Sequence, residues 1–337
     1  MKTGLFVYGD DATFIAQDLE LLKRHYDMRS YRMKMPKNPL LLFGELLKTF
    51  LFVVWHIRKA DFVYCWFCDY HAFFPMLFSK IFKKKGIIVI GGFDAAKNKA
   101  LLYGAHIKPW RSKIIKYIAF KADVLLPVSQ SVLSGIKTHF GQEAVNKSQL
   151  VYNGLNVVRF KSTSQTSRSG LVTVYKVNDL KRLRIKGGDF LVEAARKLPE
   201  HDFTAIGPYG KAAVYFDSFK LDNLKVLPPT STDEIAAILQ TKKVYFQFSR
   251  VESFGIALVE GVLSGCIPVG YNIEATSEII QHPKLLFDQL SVAELKRVLE
   301  NLSNIPFLEI EAIRQRCTDL YNLKNRERQL VKLINGL

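Results

Sequence analysis

Short apolar runs and helix-length amphipathic segments alternate along the chain. In order they read GLFVYG then 14–26, ADFVYCWF then 71–83, GIIVIGG then a basic helical stretch, ADVLLPVS then SVLSGIKTHF, and SQLVYNG. The apolar runs are dense in aliphatic and aromatic residues, the pattern of strands covered on both faces. Strands of that kind separated by helices predict a parallel sheet flanked by helices. KSTSQTSRSG, at 161–170, is polar, has no apolar period and predicts a linker. The alternation then restarts with LVTVYKV, GGDFLVEAARKL, HDFTAIGP, NLKVLPP, TDEIAAILQ and KVYFQFS, and resumes after residue 271 with SVAELKRVLENL. A chain of 337 residues suits two domains of about 150 each. The predicted class is α/β, with two Rossmann-like doubly wound domains at 1–157 and 158–321 and a terminal helix at 322–337 packing back on the first.

The most apolar long stretch, PLLLFGELLKTFLFVVWHI at Pro39–Ile57, carries Glu45 and Lys48 within about the minimum length of a bilayer span. It reads as a buried or interfacial helix rather than a crossing one. The opening MKTGLFVYGDD lacks the pattern of a secretory leader, so the cytoplasm is the expected compartment. With 48% hydrophobic and 23% charged residues the composition is that of a folded chain, not a disordered one.

The net charge of +17 is unevenly placed, because residues 1–150 hold 23 Lys and Arg against 11 Asp and Glu. Between Lys80 and Lys121 the one acid is Asp94. Such a surface attracts anionic membrane, phosphorylated lipid or nucleic acid by the same Coulombic means. Four cysteines are too few for a disulfide framework; Cys65 and Cys68, in the strand-like FVYCWFCDY, read as buried structural thiols.

Several familiar chemistries are missing from the pattern. No GxGxxG follows a strand, and GxxxxGK[ST], HExxH and GxSxG do not occur. Candidate chemistry lies instead in RVESFGIALVEGVLSGCIPVGY, residues 250–271. Arg250 to Gly255 reads as a loop after a strand and Ile256 to Ser264 as a helix, placing Glu252 in the loop and Glu260 one turn into the helix. Ligands of open parallel sheets sit beyond the strand C-termini, so this loop is expected to face an interdomain crevice. Gly255 permits close backbone approach, and the helix start favours an anion such as a diphosphate. A second piece, DLKRLRIKGGDFLVEAARKLP, sets Arg182 four residues before Lys186, with Gly187 and Gly188 opening a helix. Cations beside a helix N-terminus oppose its dipole unless an anion lies between them. Arg184 competes with Arg182 for that role.

These elements resemble those of the retaining, family-4 type glycosyltransferases with the GT-B fold. ESFGIALVE is similar to their E-x7-E signature, KGGDFLVEAARKLP to their KG-plus-helix element, and ADVLLPVSQSVLSGI and NGLNVVRF to two elements of their first domain. The resemblance runs from about residue 60 to 280 in the expected order. It implies that the second domain holds a nucleotide-sugar donor and that the first holds a glycan or lipid-linked acceptor. Glu260 would bind the ribose hydroxyls, and Glu252 hydroxyls of the transferred sugar, helped by Ser253 and the backbone of Phe254, Gly255 and Ile256. Arg182 and Lys186 would neutralise the diphosphate without a metal or other cofactor. Gly207, Ser231 and Thr232 fall where the family lines the base pocket.

In the first domain the chain departs from the family. GLFVYGDDATF lacks the paired glycines that often follow the first strand, and IIVIGGFDAAK stands where many relatives have a histidine. Asp94 is the nearest polar candidate for the donor sugar, with His71 and His106 behind it; Gly91 and Gly92 signify close backbone approach. An acceptor on a membrane lipid would give the basic first half a use, at an anionic cytoplasmic surface and with no nucleic acid. The competing readings are a phosphorylase of similar fold and a catalytically silent, nucleic-acid-binding scaffold.

Overall fold

The computed structural model describes residues 1–36, 38–161 and 167–337. It contains two compact units, Met1–Gly154 with Lys324–Leu337 and Leu155–Leu323.

The first unit is a five-stranded parallel sheet of β1 (Thr3–Tyr8), β2 (Asp27–Arg32), β3 (Phe62–Trp66), β4 (Lys85–Ile90) and β5 (Val124–Pro127) in the order β2-β1-β3-β4-β5. Its helices are α1 (Thr13–Lys23), α2 (Pro39–His56), α3 (Phe73–Ile81), α4 (Pro109–Lys121), α5 (Gln130–Phe140) and α6 (Gln142–Asn146). The inner strands bury every side chain over Leu5–Val7 and Val63–Trp66, as helices on both faces of the sheet require. β2 is missing from the apolar pattern: DMRSYR is an edge strand whose Arg29 and Ser30 face water. SQLVYNG, read as a strand, is extended chain beside β5, with the Gln149 and Val151 N–H groups donating to Leu125 and Pro127 carbonyls. Cys65 and Cys68 are free buried thiols, and burial raises the pKa of each.

The second unit is a six-stranded parallel sheet of β6 (Ser169–Val177), β7 (Phe203–Pro208), β8 (Leu224–Leu227), β9 (Lys242–Gln247), β10 (Ile267–Tyr271) and β11 (Leu286–Phe287). The strand order is β11-β10-β9-β6-β7-β8. Helices α7 (Leu180–Ile185), α8 (Gly188–Lys197), α9 (Lys211–Asp217), α10 (Thr232–Thr241), α11 (Ile256–Leu263), α12 (Glu274–Ile280), α13 (Val292–Glu300) and α14 (Phe307–Leu320) complete it. Of the expected linker, residues 162–166 lie outside the described residues. Arg168 is anchored by Nη1 on the Lys242 carbonyl, 3.3 Å away, just before β6 begins.

The last helical stretch breaks at Tyr321 and Asn322, and α15 (Leu323–Gly336) contributes Lys324–Leu337 to the first unit. Its Arg326 is buried against Asp18, with Nε 2.5 Å from Oδ1 and Nη2 2.7 Å from Oδ2. The Tyr64 hydroxyl and Trp66 indole also donate to Asp18, at 2.8 and 2.7 Å. Arg326 Nη1 caps the Val151 and Tyr152 carbonyls. Every strong donor and acceptor of this buried pair is therefore satisfied, the condition under which such a pair is tolerated in a core.

Candidate functional site

Two neighbouring strands of the second unit, β6 and β9, end in the loops that carry the expected chemistry. After β6, Asp179 caps α7 by accepting from the Arg182 N–H at 2.8 Å. The chain then turns at Gly187, whose φ of +77° is left-handed, and α8 starts. A Cβ on Gly187 would lie 2.3 Å from the Phe248 carbonyl oxygen, so this turn touches the loop after β9 only because the residue is glycine. Arg250 locks the contact. Its N–H donates to the Ile185 carbonyl at 2.8 Å, and its guanidinium holds Asp189 through two bonds of 2.6 and 3.0 Å. A third guanidinium bond reaches the Arg184 carbonyl.

This clamp brings Lys186 to Glu252, with Nζ 2.7 Å from Oε2. Glu252 also accepts from Gln247 Nε2 at 2.9 Å and from the Ser253 N–H at 3.2 Å, and Ser249 Oγ lies 3.5 Å away. The carboxylate is thus fixed on three sides. Arg250, Gln247 and Ser249 were not singled out from the sequence. Arg250 and Ser249 abut the E-x7-E segment, but neither has a spacing that marks it.

Gly255, at φ +93°, opens α11. Like α9, α12 and α14, neither α8 nor α11 has a side-chain cap; what α8 and α11 share is a left-handed glycine at the start, Gly187 and Gly255. The first N–H groups of a helix have no acceptor within it, and together with the dipole they make an anion-binding end. One turn further on, Glu260 is half-buried and its carboxyl has no hydrogen-bond or ion-pair partner among the described residues. The protein packed about its carboxyl pushes its pKa up to about 8, and the charge of Arg159 opposes the rise. Arg159 itself is bound to Asp233 at 3.0 Å.

The remaining candidates divide. Ser253 and Ile256 are half-buried beside Gly255, and the buried Phe254 ring sets its edge against Tyr321. Gly207 ends β7 at φ +103°. Ser231 and Thr232 start α10, where the Ser231 hydroxyl is engaged in a capping box with Glu234. Arg182 is 70% exposed and sits 3.6 Å from Asp179; the structure brings Lys186, and not Arg182, to the Glu252 carboxylate.

In the first unit Asp94, expected to face the donor sugar, is engaged by its own turn. It is 2% exposed, and its oxygens accept from the N–H groups of Cys68, Gly91 and Gly92 at 2.9, 3.4 and 2.8 Å. Burial raises its pKa to about 6 against the pull of those donors. Asp94 ties the turn after β4 to the turn after β3. His71 is likewise buried, with Nε2 2.6 Å from the Trp66 carbonyl, and burial lowers its pKa. His106, held between Ser112 and the Asp94 carbonyl, is lowered to about 4 by burial and by neighbouring His139. Gly91 does signify close approach: a Cβ there would strike the Phe67 ring. Gly92, at φ +121°, makes the turn that Asp94 holds.

Residues 170–318 match the family model described as Glycosyl transferases group 1. A curated relative, an uncharacterized glycosyltransferase of Methanocaldococcus jannaschii, is 23% identical over 224 residues, which are 65% of this chain. The chain spans 58% of that relative's length. Among solved structures, sucrose-phosphate synthase from Thermosynechococcus elongatus superposes with a TM-score of 0.80 at 14% identity, covering 100% of this chain and 99% of the other. HepE of Anabaena, in complex with UDP and glucose, gives a TM-score of 0.76 at 14% identity over 100% of both chains. At such identities the likeness to solved structures establishes the fold.

Proposed function

We propose that this chain, a glycosyltransferase of the GT-B type with a group 1 domain in its second unit, moves a hexosyl unit from a nucleotide sugar to a glycan or lipid-linked acceptor with retention. The observation that carries the donor assignment is the pairing of two helix starts at left-handed glycines with Lys186, Glu252 and a Glu260 carboxyl that has no partner among the described residues. A diphosphate fits the helix starts and draws Lys186 from Glu252. Glu252 is then free to accept from hydroxyls of the sugar, and Glu260 accepts from two ribose hydroxyls. UDP is the first diphosphate to try, since HepE was solved with it; GDP is the second.

In the reaction the bond from the anomeric carbon to the diphosphate oxygen breaks, and the acceptor oxygen bonds to the same face. The acceptor's proton passes to the leaving phosphate oxygen. Lys186 and the two helix dipoles stabilise the charge that develops there, the work that a metal does elsewhere, so activity is expected to survive chelation.

Thermal-shift titration with UDP, GDP, ADP and their sugar conjugates tests the donor, since a ligand of the native state raises its stability. A nucleotide response that Glu260→Ala weakens supports the site. An unchanged response in that variant refutes it. Incubating the responding nucleotide sugar with candidate acceptors, and reading the anomeric configuration of the product by NMR, tests transfer and retention. Cleavage by inorganic phosphate without any nucleotide response would instead indicate a phosphorylase.

A further inference from the structure

Helix α2 is built inside out. Two of its polar side chains turn inward, and one stays at the margin: Thr49 is fully buried with its hydroxyl on the Glu45 carbonyl at 2.8 Å, while the Glu45 carboxylate accepts from the Lys34 N–H at 3.2 Å and pairs with exposed Lys48 at 2.7 Å. The opposite face recurs at helical spacing as Leu40, Phe43, Leu47, Leu51, Val54 and Trp55, from 40% exposed at Val54 to 82% at Leu40. A helix facing water carries polar residues there, and an apolar patch of this extent marks an interaction surface. Pro39–Lys59 is long and apolar enough to cross a bilayer, with a mean hydropathy of 1.8. Yet Val53 is fully buried, and the Phe50 ring packs edge-on against Phe74 and Phe78 at 5.3 and 5.6 Å. The helix is therefore seated along the unit rather than standing clear of it.

Cations frame one end of the stripe. The helices joining parallel strands run back along the sheet, so α2 and α3 end at the edge where β3 and β4 begin. That edge gathers Arg58, Lys59, Lys83 and Lys85, all exposed, and among the described residues none of the four has an ion-pair partner. Exposed Ile81 lies among them, and Arg58 rests over the Phe82 ring at 5.8 Å.

We propose that this face docks on an anionic lipid bilayer. The apolar stripe of α2 lies at the boundary of headgroups and acyl chains, and the four cations meet acidic headgroups. Charge selects lipid, because acidic headgroups supply the counter-charges that the four cations lack among the described residues of their own chain. The docking does not depend on the transferase reading; where both hold, the acceptor is carried by the lipid surface.

Flotation of the full chain with vesicles of phosphatidylcholine, or of phosphatidylcholine with phosphatidylglycerol, tests it. Binding to the anionic vesicles that weakens with salt is expected, and Leu51→Glu with Trp55→Glu lowers the bound fraction about tenfold or more. Lys59→Glu with Lys83→Glu and Lys85→Glu removes the preference for anionic lipid. A melting curve accompanies each variant. Should the first variant unfold, the charge-reversal triple, which alters only exposed side chains, decides. Equal binding to both vesicles overturns the proposal, as does binding that neither variant changes. A dimer seen by light scattering and dissolved by Leu51→Glu shows that a second copy covers the face, and also overturns it.

Discussion

Glu260→Gln separates the charge of this carboxyl from its shape. In the fold the group titrates at about 8, against an ordinary value of 4.5. Between those two values the unfolded chain releases the proton while the folded chain keeps it. A raised pKa therefore contributes stability that is present below the unfolded value and lost as pH rises through the folded one. The loss is about 1.4 kcal/mol per pH unit, which sets a ceiling of about 5 kcal/mol over the whole window. Glu260 is only half-buried by its surface, although protein crowds its carboxyl. Water reaching the group screens the penalty, and about 2 kcal/mol is the working expectation. Glutamine imitates the protonated carboxyl and does not titrate. The two proteins should melt alike near pH 5, and the variant should exceed the parent by about 4–8 °C near pH 9. Differential scanning calorimetry across that range measures the difference. Parallel curves for parent and variant would refute the claim that burial holds the proton on Glu260.

The same proton bears on ligand binding. Ribose hydroxyls donating to an ionised carboxylate favour the charged form, so a nucleoside diphosphate lowers the pKa of Glu260. Binding near neutral pH then expels a proton, seen in titration calorimetry as a heat that changes with the ionisation enthalpy of the buffer. A heat independent of the buffer would place the ribose elsewhere.

Other perturbations reach separate parts of the structure. Arg326→Met leaves Asp18 charged and buried, so it should cost about 3–5 kcal/mol in urea denaturation, and Asp18→Leu added to it should recover much of the loss. Lys186→Ala should lower kcat about 10²–10³-fold in a transfer assay, since its charge is needed most as the diphosphate leaves. Gly187→Ala meets both a left-handed φ and the Phe248 carbonyl, and should lower the melting temperature and the nucleotide response together.

What could be read from the chain follows the range of the forces involved. The apolar runs announce inner strands because burial on both faces leaves no room for polar residues, and they fail at β2, where DMRSYR lies on an edge. Gly187 and Gly255 are legible because a left-handed turn is a local demand of the backbone. The Lys186–Glu252 pair is not local, for 66 residues separate its members and only the adjacency of β6 and β9 joins them. The four-residue spacing of Arg182 and Lys186 does not put the two on one helix face. α7 ends at Ile185, so Lys186 has left the helix and the same-face rule no longer governs it. A carboxyl after GG can serve a ligand or its own turn, and the three backbone N–H groups that hold Asp94 in the turn are not legible in the sequence. On α2 the pattern displays an apolar helix but not which side faces in. Helical spacing names the Thr49–Glu45 and Lys48–Glu45 contacts, but not the Lys34 N–H that Glu45 also accepts or the packing of Phe50 against α3.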